Sequence, residues 1–163
     1  MKSIRTLTIS AAVLGLALFA SQATAQDKSF KESIVGAWLV TGVADVGENG
    51  QARDSWKGQT TGQITLGRTG RFSQILVGPA VDSMKSDEPR KPDRLVVAHY
   101  GSYTVDEAAK KINYKIEGSA YSPRVKTDGS WTVEGKGDKL TFNGVQRKDS
   151  VGTFTPKLQL QRP

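Results

Sequence analysis

The feature that most constrains this chain is period-two alternation of apolar and polar residues in short blocks, with helical periodicity nearly absent. Residues 111–117 read KINYKIE: Ile112, Tyr114 and Ile116 share one face, and Lys111, Asn113, Lys115 and Glu117 the other. Residues 130–134 set Trp131 and Val133 apart from Ser130, Thr132 and Glu134, and residues 139–143 do the same with Leu140 and Phe142. Phe154, Leu158 and Leu160 share a parity near the C-terminus. Further strands are expected at 35–43, 62–66, 71–77 and 96–105, and a short helical turn around 30–33. Eight such segments, each with one apolar face, predict an all-β, antiparallel sheet with one side buried.

The connections narrow this further. Those at 67–70, 106–110 and 135–138 are short, and two of them carry the glycines of tight hairpins. Those at 44–61, 78–95, 118–129 and 145–152 are long. In an up-and-down meander successive connections fall at opposite ends, so all long loops gather at one end and all short turns at the other. That is the plan of a cup, and eight strands closed on themselves form a barrel that is either filled by side chains or holds one small ligand. Asn49-Gly50 is a hairpin signal inside the first long loop, so residues 51–57 can add a strand and raise the count to nine or ten. Pro156 falls within the last strand, where it cannot donate to a ladder, so a later start or a bulge is expected there.

Closure makes a specific pair. The first strand begins Gly36-Ala37-Trp38 and the last ends at Arg162. Antiparallel strands one and eight put Trp38 and Arg162 together under the base, where a guanidinium on an indole face is worth on the order of 1 kcal/mol or more. Gly36, Trp38 and Arg162 are therefore read as structural closure of the barrel.

The N-terminus reads as an address. Lys2 and Arg5 precede the apolar run 7–20 and then Ala23-Thr24-Ala25, a small-x-small cleavage pattern. Residues 1–25 are expected to be a signal peptide cut after Ala25, leaving one domain over 26–163 that is exported to the periplasm or beyond the cell. The run is short for a membrane span and no second apolar stretch of that length follows, so no integral membrane association is expected.

Ordered blocks then resemble a known family. GAWLVTGV, GQITLGRTGRFSQILV, HYGSYTVDE, KINYKIEGS and GDKLTF, spread over residues 34–162, are similar to the bacterial lipocalin-like domain family of the calycin superfamily. The resemblance implies an up-and-down barrel and a ligand-binding role, with no established reaction.

Composition excludes several chemistries. The chain of 163 residues has no Cys and one His, which rules out disulfides, a thiol nucleophile, a Cys-type zinc site and a multi-His metal cage. No cofactor motif is present, and no metal site is expected. The 23 basic and 16 acidic residues give a net +7, of which Lys2 and Arg5 supply +2. The remaining charge is dispersed among residues such as Lys111, Lys115, Lys139 and Lys157, which is not the basic stripe of a nucleic-acid binder. Residues 82–94, with four acids, four bases and two prolines, read as a solvated loop.

The candidate pocket follows from parity. Phe72, His99, Tyr103, Tyr114, Trp131 and Phe142 are expected to face inward, and either line an apolar pocket or fill it as core. In the pocket reading, His99 and the Tyr103 and Tyr114 hydroxyls orient a ligand's polar end. Trp56, in the first long loop, is a lid candidate or a local anchor on the rim. The leading expectation is an exported barrel that binds or carries a small, largely apolar molecule. One alternative is an enzyme with His99 as acid or base. The chemistry for it is thin: no Gly-x-Ser-x-Gly elbow is present and no catalytic residue is assigned. The other is a filled barrel acting through its outer surface. Self-association is left open.

Overall fold

A computed structural model describes residues 28–53, 56, 60–78 and 96–163. The signal-peptide reading, its cleavage after Ala25 and the charged segment 82–94 lie outside the described residues.

The described chain begins with helix α1 (Phe30–Ile34). Ten strands follow: β1 (Gly36–Gly47), β2 (Ala52–Arg53), β3 (Thr61–Leu66), β4 (Arg71–Val77), β5 (Val96–Asp106), β6 (Lys111–Ser119), β7 (Asp128–Lys136), β8 (Lys139–Gly144), β9 (Arg147–Asp149) and β10 (Gly152–Gln161). A 3-10 turn at Ser122–Arg124 lies between β6 and β7. Hydrogen-bonded neighbours run β2-β1-β3-β4-β5-β6-β7-β8-β10-β9, and β1 also pairs with β10. Eight strands thus close an antiparallel up-and-down barrel, while β2 and β9 flank the β1–β10 seam. The extra strand expected after Asn49-Gly50 is β2, turned by Gly50 at φ 77°. The second, β9, was hidden in the long connection before β10.

Pro156 is accommodated by a change of partner. On one edge β10 pairs with β9 through residues 152–154 and with β8 through 157–161, so positions 155 and 156 need no ladder partner there. β10 consequently starts at Gly152, before the proline rather than after it.

Alternation puts Ile64, Leu66, Phe72, Leu76, Val97, Ile112, Ile116, Val133, Leu140, Phe142, Leu158 and Leu160 inside. Two bulges shift the phase. On β1 the register with β10 jumps between Val40 and Gly42, so Trp38 and Val40 face inward below the bulge and Val43 and Asp45 above it. On β6 the jump falls at Glu117, which turns outward to pair with Arg71 at 2.7 Å.

The base is sealed by α1. A capping box at its start (Glu32 N–H to Ser29 Oγ, Ser29 N–H to Glu32) holds its first turn. The Phe30 and Lys31 amides donate to the Glu107 carboxylate, on the β5–β6 turn, at 2.9 and 3.1 Å. Ile34 and Trp38 beneath it are both wholly buried. The Trp38 indole N–H donates to Ile34 O at 2.7 Å, and the Arg162 guanidinium lies 4.1 Å over the Trp38 ring. Arg162 also donates to Val35 O at 2.9 Å and to Ser33 O at 2.8 Å, tying the last strand to the chain that enters the first.

Gly36 is part of this seal for two reasons. Its φ of 128° lies where side chains are rarely found, and a Cβ there would collide with the Arg162 guanidinium. Gly36→Ala is expected to cost about 2 kcal/mol of stability, measured as a lowered midpoint in urea with an unchanged m-value.

Candidate functional site

The interior has two storeys. In the lower one, Ile64, Leu66, Phe72, Tyr103, Ile112 and Phe142 leave a void of about 10 Å³, no more than one water molecule could use. The upper one is an open chamber of about 190 Å³ at the long-loop end. Its apolar surface comes from Val43, Leu76, Val97, Trp131, Phe154 and Leu158, and its polar surface from Asp45, Gln74, Tyr114, Arg124, Arg147 and, at the β10 edge, Lys157.

Five of the six inward candidates form one connected group of rings, and the sixth, Tyr103, lines the lower void with Phe72. Ring centroids step from His99 to Phe72 at 5.8 Å, Phe72 to Tyr114 at 5.6 Å, Tyr114 to Trp131 at 6.2 Å and Trp131 to Phe142 at 6.1 Å. Their height in the barrel separates them. Phe72, Tyr103 and Phe142 pack the lower storey, whereas Tyr114 and Trp131 form the boundary and line both spaces. The Tyr103 hydroxyl donates to Gly67 O at 2.7 Å, so it serves the β3–β4 turn at the base. Trp56 packs on the core from the rim and lines the chamber.

His99 is 8% exposed and packs edge-on against Phe72, outside the chamber lining. Burial, aided by the positive charge of Arg124, lowers its pKa to about 4. Among the described residues its Nδ1 has no hydrogen-bond partner. It is a neutral aromatic neighbour at pH 7.

The Tyr114 phenol lies at the chamber floor under two guanidiniums. Burial raises its pKa, while the Arg147 and Arg124 charges work the other way. Arg124 arrives on the 3-10 turn, where Pro123 fixes the backbone, and Arg147 opens β9.

The chamber wall at the seam is held by a second arginine–aromatic contact. Arg53 of β2 reaches across β1 and β10, passes 4.4 Å over the Phe154 ring and grips Asp149 of β9 at 3.2 and 3.3 Å. Asp149 also accepts the Val151 and Gly152 amides. Burial opposes its ionisation, but the Val151 hydrogen bond and the Arg53 contact hold its carboxyl below the usual range. Each end of the barrel is thus fastened by a guanidinium on an aromatic ring.

Parity alone did not find Asp45, Arg53, Arg124 or Arg147. Asp45 turns inward only because of the β1 bulge, and the other three sit in connections that strand alternation does not reach. A usable signal did exist for β9: Asp149 and Gly152 bracket two residues, the pattern of a side-chain-capped turn.

Fold and cavity together define a closed eight-stranded antiparallel barrel with a filled base and an open upper chamber, the architecture that the lipocalin-like resemblance implied. No protein-family model matches the sequence, and no curated protein matches it. Among solved structures it is similar to a redesigned β-barrel, mFAP1, bound to DFHBI. The identity is 19%, with 83% of this chain and 100% of that chain covered, and the TM-score is 0.40. At that score the likeness carries no argument about function.

Among the described residues, no helix is long and apolar enough to cross a membrane, and no acidic and His side chains cluster as metal ligands.

Proposed function

We propose that this protein is an exported, lipocalin-like binder or carrier of a small, largely apolar molecule held in the upper chamber of its barrel. The observation that carries this reading is the contrast between the two storeys, about 10 Å³ below and about 190 Å³ above. Evolution of a merely stable barrel has no reason to stop packing halfway, because an unfilled apolar space forfeits contact energy. The size limits the ligand. An apolar cavity of about 150 Å³ holds benzene, so this chamber fits about one ring with a small substituent. A long acyl chain would need the lower storey, which Phe72, Ile112 and Phe142 occupy.

Thermal melting across a size series tests this. One-ring compounds at about ten times their dissociation constant should raise the melting temperature by about 3–5 °C, and a sixteen-carbon fatty acid should leave it unchanged. No shift from any ring compound would sink the reading in favour of a barrel that works through its outside. That second reading has its own observation. Tyr100, 55% exposed, and Ile75 form an apolar patch on the outer face, with the Tyr100 ring laid across Gly118.

A further inference from the structure

The chamber's charges are unevenly matched. Its acidic side chain, Asp45, stands in register with Arg53, which itself holds Asp149, so acid and base are interleaved along the seam. Arg147, in register with Phe154 beside the seam, and Arg124, on the turn between β6 and β7, both line the chamber together with Tyr114. Among the described residues the ion pairs are Arg53–Asp149 and Arg71–Glu117, and neither Arg124 nor Arg147 belongs to one. The two arginines are separated by more than twenty positions in sequence, yet the fold brings both to one cavity whose floor is an aromatic pair. Their field is felt by the groups around them: both favour ionisation of Tyr114, and Arg124 disfavours protonation of His99.

Guanidinium groups in a cleft with low-dielectric walls attract an anion more strongly than they would on an open surface. They also offer paired N–H donors that match a planar carboxylate. Beneath them the indole of Trp131 and the phenol ring of Tyr114 stand 6.2 Å apart and nearly parallel, at 23°. A flat ring lies against such a surface by apolar burial and offset stacking.

We propose that the chamber's ligand is a one-ring aromatic carboxylate, its ring against Trp131 and Tyr114 and its anionic group held by Arg124 and Arg147. This rests on the chamber being the ligand site. It adds the class of molecule and assigns the two arginines as its specificity residues.

Benzoate and benzamide, equal in shape and different in charge, form the test pair, followed by tryptophan fluorescence at low ionic strength. Benzoate is expected to bind about tenfold or more tightly than benzamide, the margin of charge-assisted hydrogen bonds. In Arg124→Gln/Arg147→Gln the benzoate affinity should fall by about tenfold, to that of benzamide, which itself changes less than about twofold. Raising the salt to about 0.5 M should weaken benzoate alone. Arg147→Gln by itself, an exposed position, keeps the test sound if the double variant folds poorly, and should weaken benzoate about threefold. Equal binding of the two ligands, or benzoate binding indifferent to the arginines, overturns this inference and leaves the chamber reading intact. Binding of neither ligand overturns both.

Discussion

Trp38→Ala should lower the free energy of unfolding by about 3–5 kcal/mol, a large share of the roughly 5–15 kcal/mol margin of a single domain. Trp38 is the largest of the wholly buried side chains. Its removal empties the floor of the barrel, and the strands around it are hydrogen-bonded on both sides and cannot collapse inward to fill the space. The loss extends beyond volume. The indole N–H that satisfies Ile34 O disappears, and the Arg162 guanidinium is left over a void instead of a ring. Arg162→Ala should cost less, about 2–3 kcal/mol, from the lost cation–π contact and the two carbonyls of Val35 and Ser33 it serves. Because the two side chains act on one another, the double variant should lose about 1–2 kcal/mol less than the sum. Urea denaturation of the four proteins measures this directly. A Trp38→Ala loss below about 1 kcal/mol, or strict additivity, would show that the seam does not depend on the pair.

The second large effect is on pH dependence. His99 has an ordinary pKa of about 6.5 when unfolded and about 4 when folded. Above pH 6.5 it is neutral in both states and its burial makes no pH-dependent contribution to stability. As the pH falls from 6.5 towards 4, the unfolded chain takes up a proton that the folded chain refuses, so stability declines. The decline amounts to at most about 3 kcal/mol and levels off below pH 4, where the folded state is protonated too. Glu117 and Asp149 have lowered pKa values and lose their stabilising charge at still lower pH. They are present in wild type and variant alike. Melting temperature against pH should therefore fall steeply between 6.5 and 4 in the wild type and much less in His99→Gln. Parallel curves would mean that His99 is solvated when folded.

The sequence was most legible where a rule of strand geometry applies without interruption. Alternation named the inward faces of β4, β5, β7 and β8, and the order of short and long connections gave the cup before any contact was known. Trp38 and Arg162 could be paired because closure of an even-stranded antiparallel barrel leaves them no other place. Legibility failed at the interruptions. One inserted residue at Thr41 reverses the phase of β1, so Asp45 is inside where alternation would put Ala44. Alternation also says which face a residue occupies but nothing of how deep the barrel is packed. Phe72 and Phe142 therefore carried the same expectation as Tyr114 and Trp131, although they fill the lower storey and the latter floor the chamber. Arg124 ends the 3-10 turn and Arg147 opens β9, both inside what the eight-strand pattern leaves as connections, whose positions come from tertiary contacts rather than from a period.

The central claim, that small molecules enter the upper storey and stop at the Tyr114–Trp131 floor, is tested most directly by two-dimensional NMR of the labelled protein during a titration with benzoate. Resonances of Leu76, Val97, Tyr114, Leu158 and the Trp131 indole should shift together and saturate with one affinity, while those of Ile112, Phe142 and the Trp38 indole stay in place. Shifts confined to Ile75, Tyr100 and Gly118 on the outer face, or none at all, would contradict the account.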